Sequence, residues 1–270
     1  FKSFIKLFFM EIKFEKWHAN GNDFVIVNNI DAKIKITKKF IKKISDRNKG
    51  IGFDQLIQVD LPTNEDHDFF IKFFNADGSE ARMCINGVRC AASYIWKNSF
   101  APRKKIVLMT KDINISSNPI NLSSVSMCVR KPRLIEDKIM NKNVKEVIKE
   151  PFKFFNIGNN HLCVKMNSIE KFNLQSLYQR LPNSIKKIEV NLSIYEIRNH
   201  KIQIRTYENG VGETLSCGSA SLCVASQFTE KTKGYIKIVS MGGKLNFKNF
   251  KNGILIKGDT NFIFEGNLND

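Results

Sequence analysis

Two stretches of the chain align without a gap: FNADGSEARMCINGVRCAAS, residues 74–93, and YENGVGETLSCGSASLCVAS, residues 207–226. At one offset they pair Glu80 with Glu213, Cys84 with Cys217, Cys90 with Cys223, Ala92 with Ala225 and Ser93 with Ser226. Farther out, GNDFVIV from Gly21 and GNNHLCV from Gly158 repeat a second pattern. An internal repeat of this kind predicts two similar halves that carry the same elements in the same order.

Each aligned stretch is preceded by a strand pattern and followed by a helix pattern. The segments DFFIKFFN, 68–75, and KIQIRTYE, 201–208, are rich in β-favouring residues and predict strands. Helical spacing predicts one helix from Cys84 to Lys97 and another from Cys217 to near Phe228. Each cysteine of the first repeated pair therefore stands where a helix begins. Unpaired N–H groups there bind anions, and we expect them to lower the pKa of the thiol.

Two equivalent thiols suit a reaction that inverts a stereocentre, because one face of the carbon needs a base and the other an acid. We therefore take Cys84 and Cys217 as the candidate catalytic pair, with the helix N–H groups stabilising a substrate carboxylate. The remaining cysteines, at 90, 128, 163 and 223, stand in apolar contexts typical of small core residues. The sequence has neither paired zinc-ligand spacing nor a dinucleotide or phosphate loop, so we predict no metal and no cofactor.

The composition gives weaker indications about partners and compartment. The formal net charge is +17, but the lysines are scattered, so we expect no nucleic-acid partner. The apolar opening FKSFIKLFFM is interrupted by lysines, and we interpret residues 1–9 as an extension ahead of a start at Met10. No longer apolar run follows, so we expect no membrane association, a cytoplasmic location and free thiols. A second copy of the chain, in a homodimer, is a further candidate partner.

The motifs resemble those of diaminopimelate epimerase over nearly the whole chain from Met10. The resemblance rests on HANGNDF, GIGFDQL, FNADGSEARMCINGVRC, GNNH, EVNL, YENGVGETLSCGS and the tail FIFEG. It implies an α+β fold of two pseudo-symmetric halves, each a curved sheet wrapped around a central helix, with the active site at their interface. We expect an N-terminal half at 10–127, to which the tail 258–270 returns, and a C-terminal half at 128–257.

The resemblance implies interconversion of LL- and meso-2,6-diaminopimelate, a small-molecule substrate used for lysine and peptidoglycan precursors. It also implies roles for residues beside the two cysteines. The implied substrate-binding residues are Asn22, Gln55, Asn75, Ile85, Asn86, Asn159, Asn191, Glu208, Asn209, Gly218 and Ser219. His161 and Glu208 match supporting polar positions, whereas we expect His18 to be structural.

Three positions depart from the family pattern. Ile85 stands where the family has glycine, and Asn160 stands where it has proline. Asn209 replaces an arginine that pairs with the distal carboxylate of the substrate, and Arg205 or a lysine of the opposite half are candidate replacements. Two alternatives therefore stay open: a racemase of another amino acid on the same scaffold, and a catalytically inactive paralogue that acts as a binding protein.

Overall fold

The computed structural model describes residues 11–32, 35–81, 83–111, 113–198, 201–251 and 253–269. The expected extension at residues 1–9 lies outside these ranges. Within them, no helix is both long and apolar enough to cross a membrane.

The first half of the described chain contains nine strands and two helices. The strands are β1 Glu11–Ala19, β2 Asn22–Asn28, β3 Gln55–Asp60, β4 Phe69–Asn75, β5 Glu80–Ala81, β6 Ile106–Met109, β7 Asn114–Asn121, β8 Ser124–Arg130 and β9 Arg133–Ile135. The helices are α1 Lys38–Ser45 and α2 Ile85–Lys97. The strand predicted at 68–75 and the helix predicted at 84–97 are thus confirmed to within one residue.

The second half of the described chain again contains nine strands, but it has four helices. Its strands are β10 Phe152–Asn156, β11 Asn160–Lys165, β12 Asn191–Arg198, β13 Lys201–Glu208, β14 Gly212–Thr214, β15 Ile236–Ser240, β16 Gly243–Phe250, β17 Gly253–Asp259 and β18 Asn261–Asn269. Its helices are α3 Lys138–Lys145, α4 Leu174–Arg180, α5 Asn183–Lys186 and α6 Gly218–Ser226. The strand predicted at 201–208 is confirmed, and the helix that follows Cys217 ends two residues before Phe228.

Strand pairing shows that the two halves have the same topology. β2 runs parallel to β3, β3 is antiparallel to β4, and β4 is parallel to β6. In the same way, β11 runs parallel to β12, β12 is antiparallel to β13, and β13 is parallel to β15. The predicted α+β fold of two pseudo-symmetric halves is therefore confirmed, with β1–β9 equivalent to β10–β18.

Each sheet curves around one helix, because that helix is apolar on nearly all sides. In α2 every residue from Ile85 to Trp96 is buried, and small residues let the strands approach closely. Helix α6 has the same character, and both helices belong to one hydrophobic cluster. The opposite sheet faces are covered by α1 in the first half and by α3, α4 and α5 in the second. The strands between these helices, β2 and β3 in the first half and β11 and β12 in the second, are therefore buried on both faces.

The halves are joined by three strand pairings that respect the same symmetry. β8 pairs with β17 near the centre, while β9 pairs with β10 and β18 pairs with β1. Because the last strand of each half pairs with the first strand of the other, no simple cut separates the two sheets. The boundaries at 127–128 and 257–258 stay a prediction.

Candidate active site

The two candidate catalytic cysteines each occupy the N-cap of a central helix. Cys84 caps α2 and Cys217 caps α6, each with extended backbone, φ −122° and −114°. At an N-cap the first amide N–H groups of the helix lack intrahelical partners and face the side chain. Both thiols line one cleft between the halves, with a volume of about 1690 Å³.

The structure brings most of the predicted site residues to this cleft. Those that line it are Asn22, Gln55, Asn75, Cys84, Ile85, Asn86, Asn159, Glu208, Asn209, Cys217, Gly218 and Ser219. Asn191 and His161 lie behind the lining. Asn191 Oδ1 accepts a hydrogen bond of 2.9 Å from the Asn209 N–H, and His161 Nε2 lies 3.0 Å from Asn159 Oδ1. These two residues therefore contact the lining rather than form it.

The site residues are arranged as equivalent pairs, one member from each half. The pairs are Asn22 with Asn159, Gln55 with Asn191, Asn75 with Glu208, Cys84 with Cys217, Ile85 with Gly218 and Asn86 with Ser219. The cysteines and the first asparagine pair are identical, while four pairs differ. The cleft is therefore symmetric at the two thiols and asymmetric around them.

Burial dominates the electrostatics of both thiols. It raises the pKa of Cys84 to about 11, although the backbone N–H groups of Gly87 and Asn86 act in the opposite direction. Burial raises the pKa of Cys217 still further, against the lowering effect of Ser219, whose Oγ lies 3.3 Å from the sulfur. The expectation of a net lowering by the helix N-termini is therefore wrong, because loss of hydration outweighs the amide N–H groups.

Glu208 is the ionisable group that acts on both thiols. Its charge raises the pKa of Cys84 and of Cys217. Burial in turn raises the pKa of Glu208, while a hydrogen bond of 2.6 Å from Thr214 Oγ1 to Glu208 Oε1 lowers it. A carboxylate beside two thiols opposes the accumulation of further negative charge, so it disfavours ionisation of both at once.

The departure at Ile85 is accommodated by the opposite helix. Ile85 is buried, and a Cβ atom placed on Gly218 would lie 3.0 Å from both Cβ and Cγ2 of Ile85. The isoleucine side chain of one half therefore occupies the room that the glycine of the other half leaves. Ile85 begins α2 with ordinary helical backbone, so the conformational freedom of glycine is not needed at this position.

Asn160, which stands where the family has proline, makes side-chain hydrogen bonds that a proline ring cannot make. Its Nδ2 donates to the carbonyl of Ile188 at 2.8 Å, and its Oδ1 accepts from Asn156 at 2.9 Å. The next residue, His161, is fully buried, and burial lowers its pKa to about 4. At neutral pH the imidazole is therefore uncharged.

Asn209 is held by an aromatic pair of the second half. Tyr178 donates its hydroxyl to Asn209 Oδ1 at 2.8 Å and stacks on Tyr207 with ring centroids 4.3 Å apart. Arg205 is engaged elsewhere: it binds Glu213 through two nitrogens, at 2.7 and 2.9 Å. Its remaining nitrogen donates to main-chain carbonyls that include Phe172, and it is not among the lining residues. The suggestion that Arg205 replaces the arginine of the family is therefore wrong.

An ion network beside Asn22 was missed by the sequence analysis. Asp23 contacts Lys16 at 2.7 Å and Arg47 at 2.8 Å, and Arg47 also contacts Asp54 at 2.8 Å. Asp54 Oδ2 in turn accepts a hydrogen bond from the Nδ2 group of Asn22. The Oδ1 atom of Asn22 accepts a hydrogen bond from the thiol of Cys84 at 3.3 Å. Asp23 follows Asn22 in the repeated motif, but no sequence signal connects it with Arg47. Among the described residues, Lys16 and Arg47 are the lysine and the arginine that line the cleft.

In the described ranges, no group of three or more His, Cys, Asp and Glu side chains is placed to hold a metal ion.

Solved structures define the class of protein by its fold. A phenazine biosynthesis protein of the PhzF family from Bacillus anthracis superposes with a TM-score of 0.69 at 14% identity, covering 96% of this chain and 99% of its own. A hydroxyproline epimerase from Agrobacterium vitis superposes with a TM-score of 0.68 at 10% identity, covering 96% and 92%. The chain thus has the pseudo-symmetric fold of these two proteins.

Sequence relatives define the family within that class. The diaminopimelate epimerase family model matches residues 14–121. The diaminopimelate epimerase of Wigglesworthia glossinidia brevipalpis is 36% identical, covering 96% of this chain and 100% of its own length. That of Legionella pneumophila strain Paris is 32% identical, covering 96% and 99%. The chain belongs to the diaminopimelate epimerase family, whose members are isomerases.

Proposed function

We propose that this protein interconverts LL- and meso-2,6-diaminopimelate and so supplies precursors of lysine and peptidoglycan. The observation that carries the proposal is the pair of thiols, Cys84 and Cys217, at the N-caps of two central helices that open on one cleft. Family membership supplies the substrate, and the paired site residues support it.

In the proposed reaction, one cysteine as thiolate removes the α-proton and the other, as thiol, delivers a proton to the opposite face of the carbon. The carbon–hydrogen bond that breaks is replaced by one on the other side, and the two sulfurs exchange protonation states. The reverse reaction uses the same groups with their roles exchanged, as general acid–base catalysis requires. Asn86, Gly218 and Ser219 would donate N–H groups to the substrate carboxylate, which stabilises the charge that develops next to the carbanion.

Binding of a substrate also offsets the high pKa of the thiols. A bound substrate carries an ammonium group, and a positive charge beside a thiol favours the thiolate. Glu208 lies where it can accept a hydrogen bond from that ammonium group, since it lines the cleft next to Cys217. We therefore assign Glu208 to the reacting end of the substrate.

At the distal end we assign Asn209 to the second carboxylate. Because Tyr178 occupies Oδ1 of Asn209, the Nδ2 group is the donor that remains for a ligand. A neutral amide binds a carboxylate less strongly than an arginine, whose two N–H groups are charged and parallel. We expect diaminopimelate to remain the preferred substrate, with weaker distal binding than an arginine would give. Asn75, Asn159 and Asn191 support the same end of the cleft.

The test is incorporation of solvent deuterium at Cα for a panel of amino acids. The proposal expects exchange with LL- and meso-diaminopimelate well above exchange with lysine, glutamate or histidine. Equal or faster exchange with a monocarboxylic amino acid would favour a racemase of different specificity. A folded protein that exchanges none of the panel would favour a non-catalytic binding protein. Either result contradicts the proposal.

Two further properties are proposed with the function. Strand β18 exposes Phe262 and Phe264, whose side chains lie on the same face of the strand, and such an apolar surface favours a homodimer formed through it. Sedimentation of wild type and of Phe264→Ser should then differ in apparent mass. All six cysteines are free, and a thiol mechanism requires that two of them stay reduced, so we place the enzyme in the cytoplasm.

A further inference from the structure

Arg89 is the largest side chain in the fully buried set of described residues, and it carries a charge. It lies on α2, five residues after Cys84, with no exposed surface. A cation without contact to water is stable in a fold only when its surroundings compensate for the lost hydration. The proposed proton transfer does not use this residue, so its burial needs a separate explanation.

The contacts of Arg89 tie it to the cleft. One terminal nitrogen, Nη2, donates to Asn86 Oδ1 and to Asn20 Oδ1, both at 2.9 Å. Its Nε and Nη1 have no hydrogen-bond partner in the structure. Asn86 lines the cleft, and the Asn20 side chain also donates to the carbonyl of Lys244 in the second half. Arg89 therefore fixes the first turn of α2 against both halves.

Three ionisable groups raise the pKa of Arg89. They are Cys84 and Cys90 along α2 and Asp259 at the end of β17. Burial lowers the pKa of Arg89, but a guanidinium keeps its proton in proteins. The flat group lies against the backbone of Gly258, where an added Cβ would come within 3.1 Å of Cζ. The fold leaves room for the cation at this place.

The second half has no equivalent cation. At the repeat offset that pairs Cys84 with Cys217, Arg89 pairs with Leu222, which is also fully buried. The charge of Glu208 raises the pKa of both thiols, so its effect has the same direction in the two halves. The charge of Arg89 lowers the pKa of Cys84, whereas the groups that shift the pKa of Cys217 are Glu208, Ser219, Ala220 and Cys84. The central helix of the first half therefore carries a buried cation, whereas the equivalent position in the second half is uncharged.

We propose that Arg89 is a positioning residue that makes the two thiols inequivalent: it orients Asn86 and makes Cys84 easier to ionise than Cys217. The inference rests on the proposed function, in which one thiol acts as base and the other as acid. A symmetric pair would distribute one thiolate equally between the two sites. With the buried cation in one half, the thiolate that forms lies mainly at Cys84, which therefore acts as base toward the stereoisomer whose α-proton faces it.

The test follows the alkylation rate of each thiol against pH by peptide mass spectrometry. Cys84 is measured in a Cys217→Ala background, and Cys217 in a Cys84→Ala background. Arg89→Leu installs the residue that the other half uses, so the core stays filled, and Arg89→Gln is a second neutral variant. In either variant the midpoint for Cys84 should rise by about one pH unit, a tenfold loss of rate at fixed pH below it. The midpoint for Cys217 should move by less than half as much.

Two controls separate charge from structure. Arg89→Lys keeps the cation, so its Cys84 midpoint should stay near that of the wild type, and Leu222→Met should leave both midpoints unchanged. Equal shifts at both thiols, no shift at Cys84, or a full shift in Arg89→Lys would each overturn the proposal. Alkylation needs no substrate, so these outcomes are independent of whether the wild type epimerises diaminopimelate.

Discussion

The two halves of this protein have the same topology and different chemistry at equivalent positions. Each half wraps a sheet around a helix that begins at a cysteine. Around those cysteines, Asn75 is paired with Glu208, Ile85 with Gly218 and Arg89 with Leu222. A reaction that inverts one carbon needs symmetric proton carriers, whereas the substrate that contains this carbon is bound asymmetrically. In the proposed mechanism the identical pair therefore serves the chemistry, and the pairs that differ serve recognition and the choice of the base.

A similar contrast occurs one residue after the repeated asparagine. In the first half Asp23 joins an ion network with Lys16 and Arg47, whereas the equivalent Asn160 makes neutral hydrogen bonds to Asn156 and Ile188. Both residues hold the turn that presents an asparagine to the cleft. The halves thus reach the same local geometry by different interactions, which respond differently to pH.

The largest effect is expected where the halves are identical. Cys84→Ala and Cys217→Ala should each lower epimerisation by about 10³-fold or more, because each face of the carbon needs its own proton carrier. Serine variants should recover little, since a hydroxyl is a much weaker acid than a thiol. The measurement is turnover from each stereoisomer, with Cys128→Ala as an active control. Near-normal turnover of Cys84→Ala in both directions would falsify the two-thiol mechanism.

The next effect concerns the facing helix ends. Gly218→Ala adds a Cβ atom 3.0 Å from the Ile85 side chain, so the two helix N-termini must separate slightly. Small displacements of groups that bind a reacting carboxylate are costly, and we expect kcat to fall by about 10–100-fold. Ile85→Gly in the same protein should restore most of the loss. The contact has no functional meaning if Gly218→Ala is fully active, or if the second substitution leaves kcat unchanged.

A smaller effect is expected at the distal end of the substrate. Tyr178→Phe keeps the ring stack on Tyr207 but removes the hydrogen bond that orients Asn209. We expect KM for diaminopimelate to rise by about 3–10-fold with kcat nearly unchanged, which is the size of one neutral hydrogen bond. In an Asn209→Ala background the same substitution should add nothing further. An equal rise in both backgrounds would show that Tyr178 does not act through Asn209.

The last expected effect is on stability and not on activity, and it appears as a pH dependence. Burial alone would raise the pKa of Asp23, but hydrogen bonds and charges from Arg47 and Lys16 outweigh it and lower the pKa to about 2. Since this value lies below the ordinary 3.8, the stabilisation is complete above about pH 4 and is lost as pH falls through 2. Asp23→Asn should therefore lower the free energy of unfolding at pH 7 by about 1–2 kcal/mol, and by less at pH 3.

The equivalent position in the second half provides the matched control. Asn160→Ala removes neutral hydrogen bonds, so its loss, about 1 kcal/mol, should be the same at pH 7 and pH 3. Urea denaturation of both variants at the two pH values makes the comparison. A pH-independent loss in Asp23→Asn would show that its ion network contributes little to stability.

Much of the fold and site could be predicted from the sequence because the repeat records it directly. The ungapped alignment around Cys84 and Cys217 predicted two similar halves, and the strand and helix patterns beside it set element bounds to within one or two residues. Local periodicity is sufficient for this, since an apolar helix between two strands has few ways to bury its surface. The place of each cysteine at a helix start was likewise visible in the turn residues that precede it.

The tertiary structure decided what depends on contacts between distant residues. It placed Ile85 against Gly218, joined Asp23 to Arg47 and held Asn209 with Tyr178, pairs that no local pattern connects. It also reversed the expected net pKa shift of the thiols, because burial is a property of the assembled core and not of a helix terminus. The sequence by itself therefore determined the scaffold and the candidate chemistry, since both follow from short-range patterns repeated twice. The electrostatics and the asymmetry of the cleft arise where the two halves meet, and only the folded chain defines that surface.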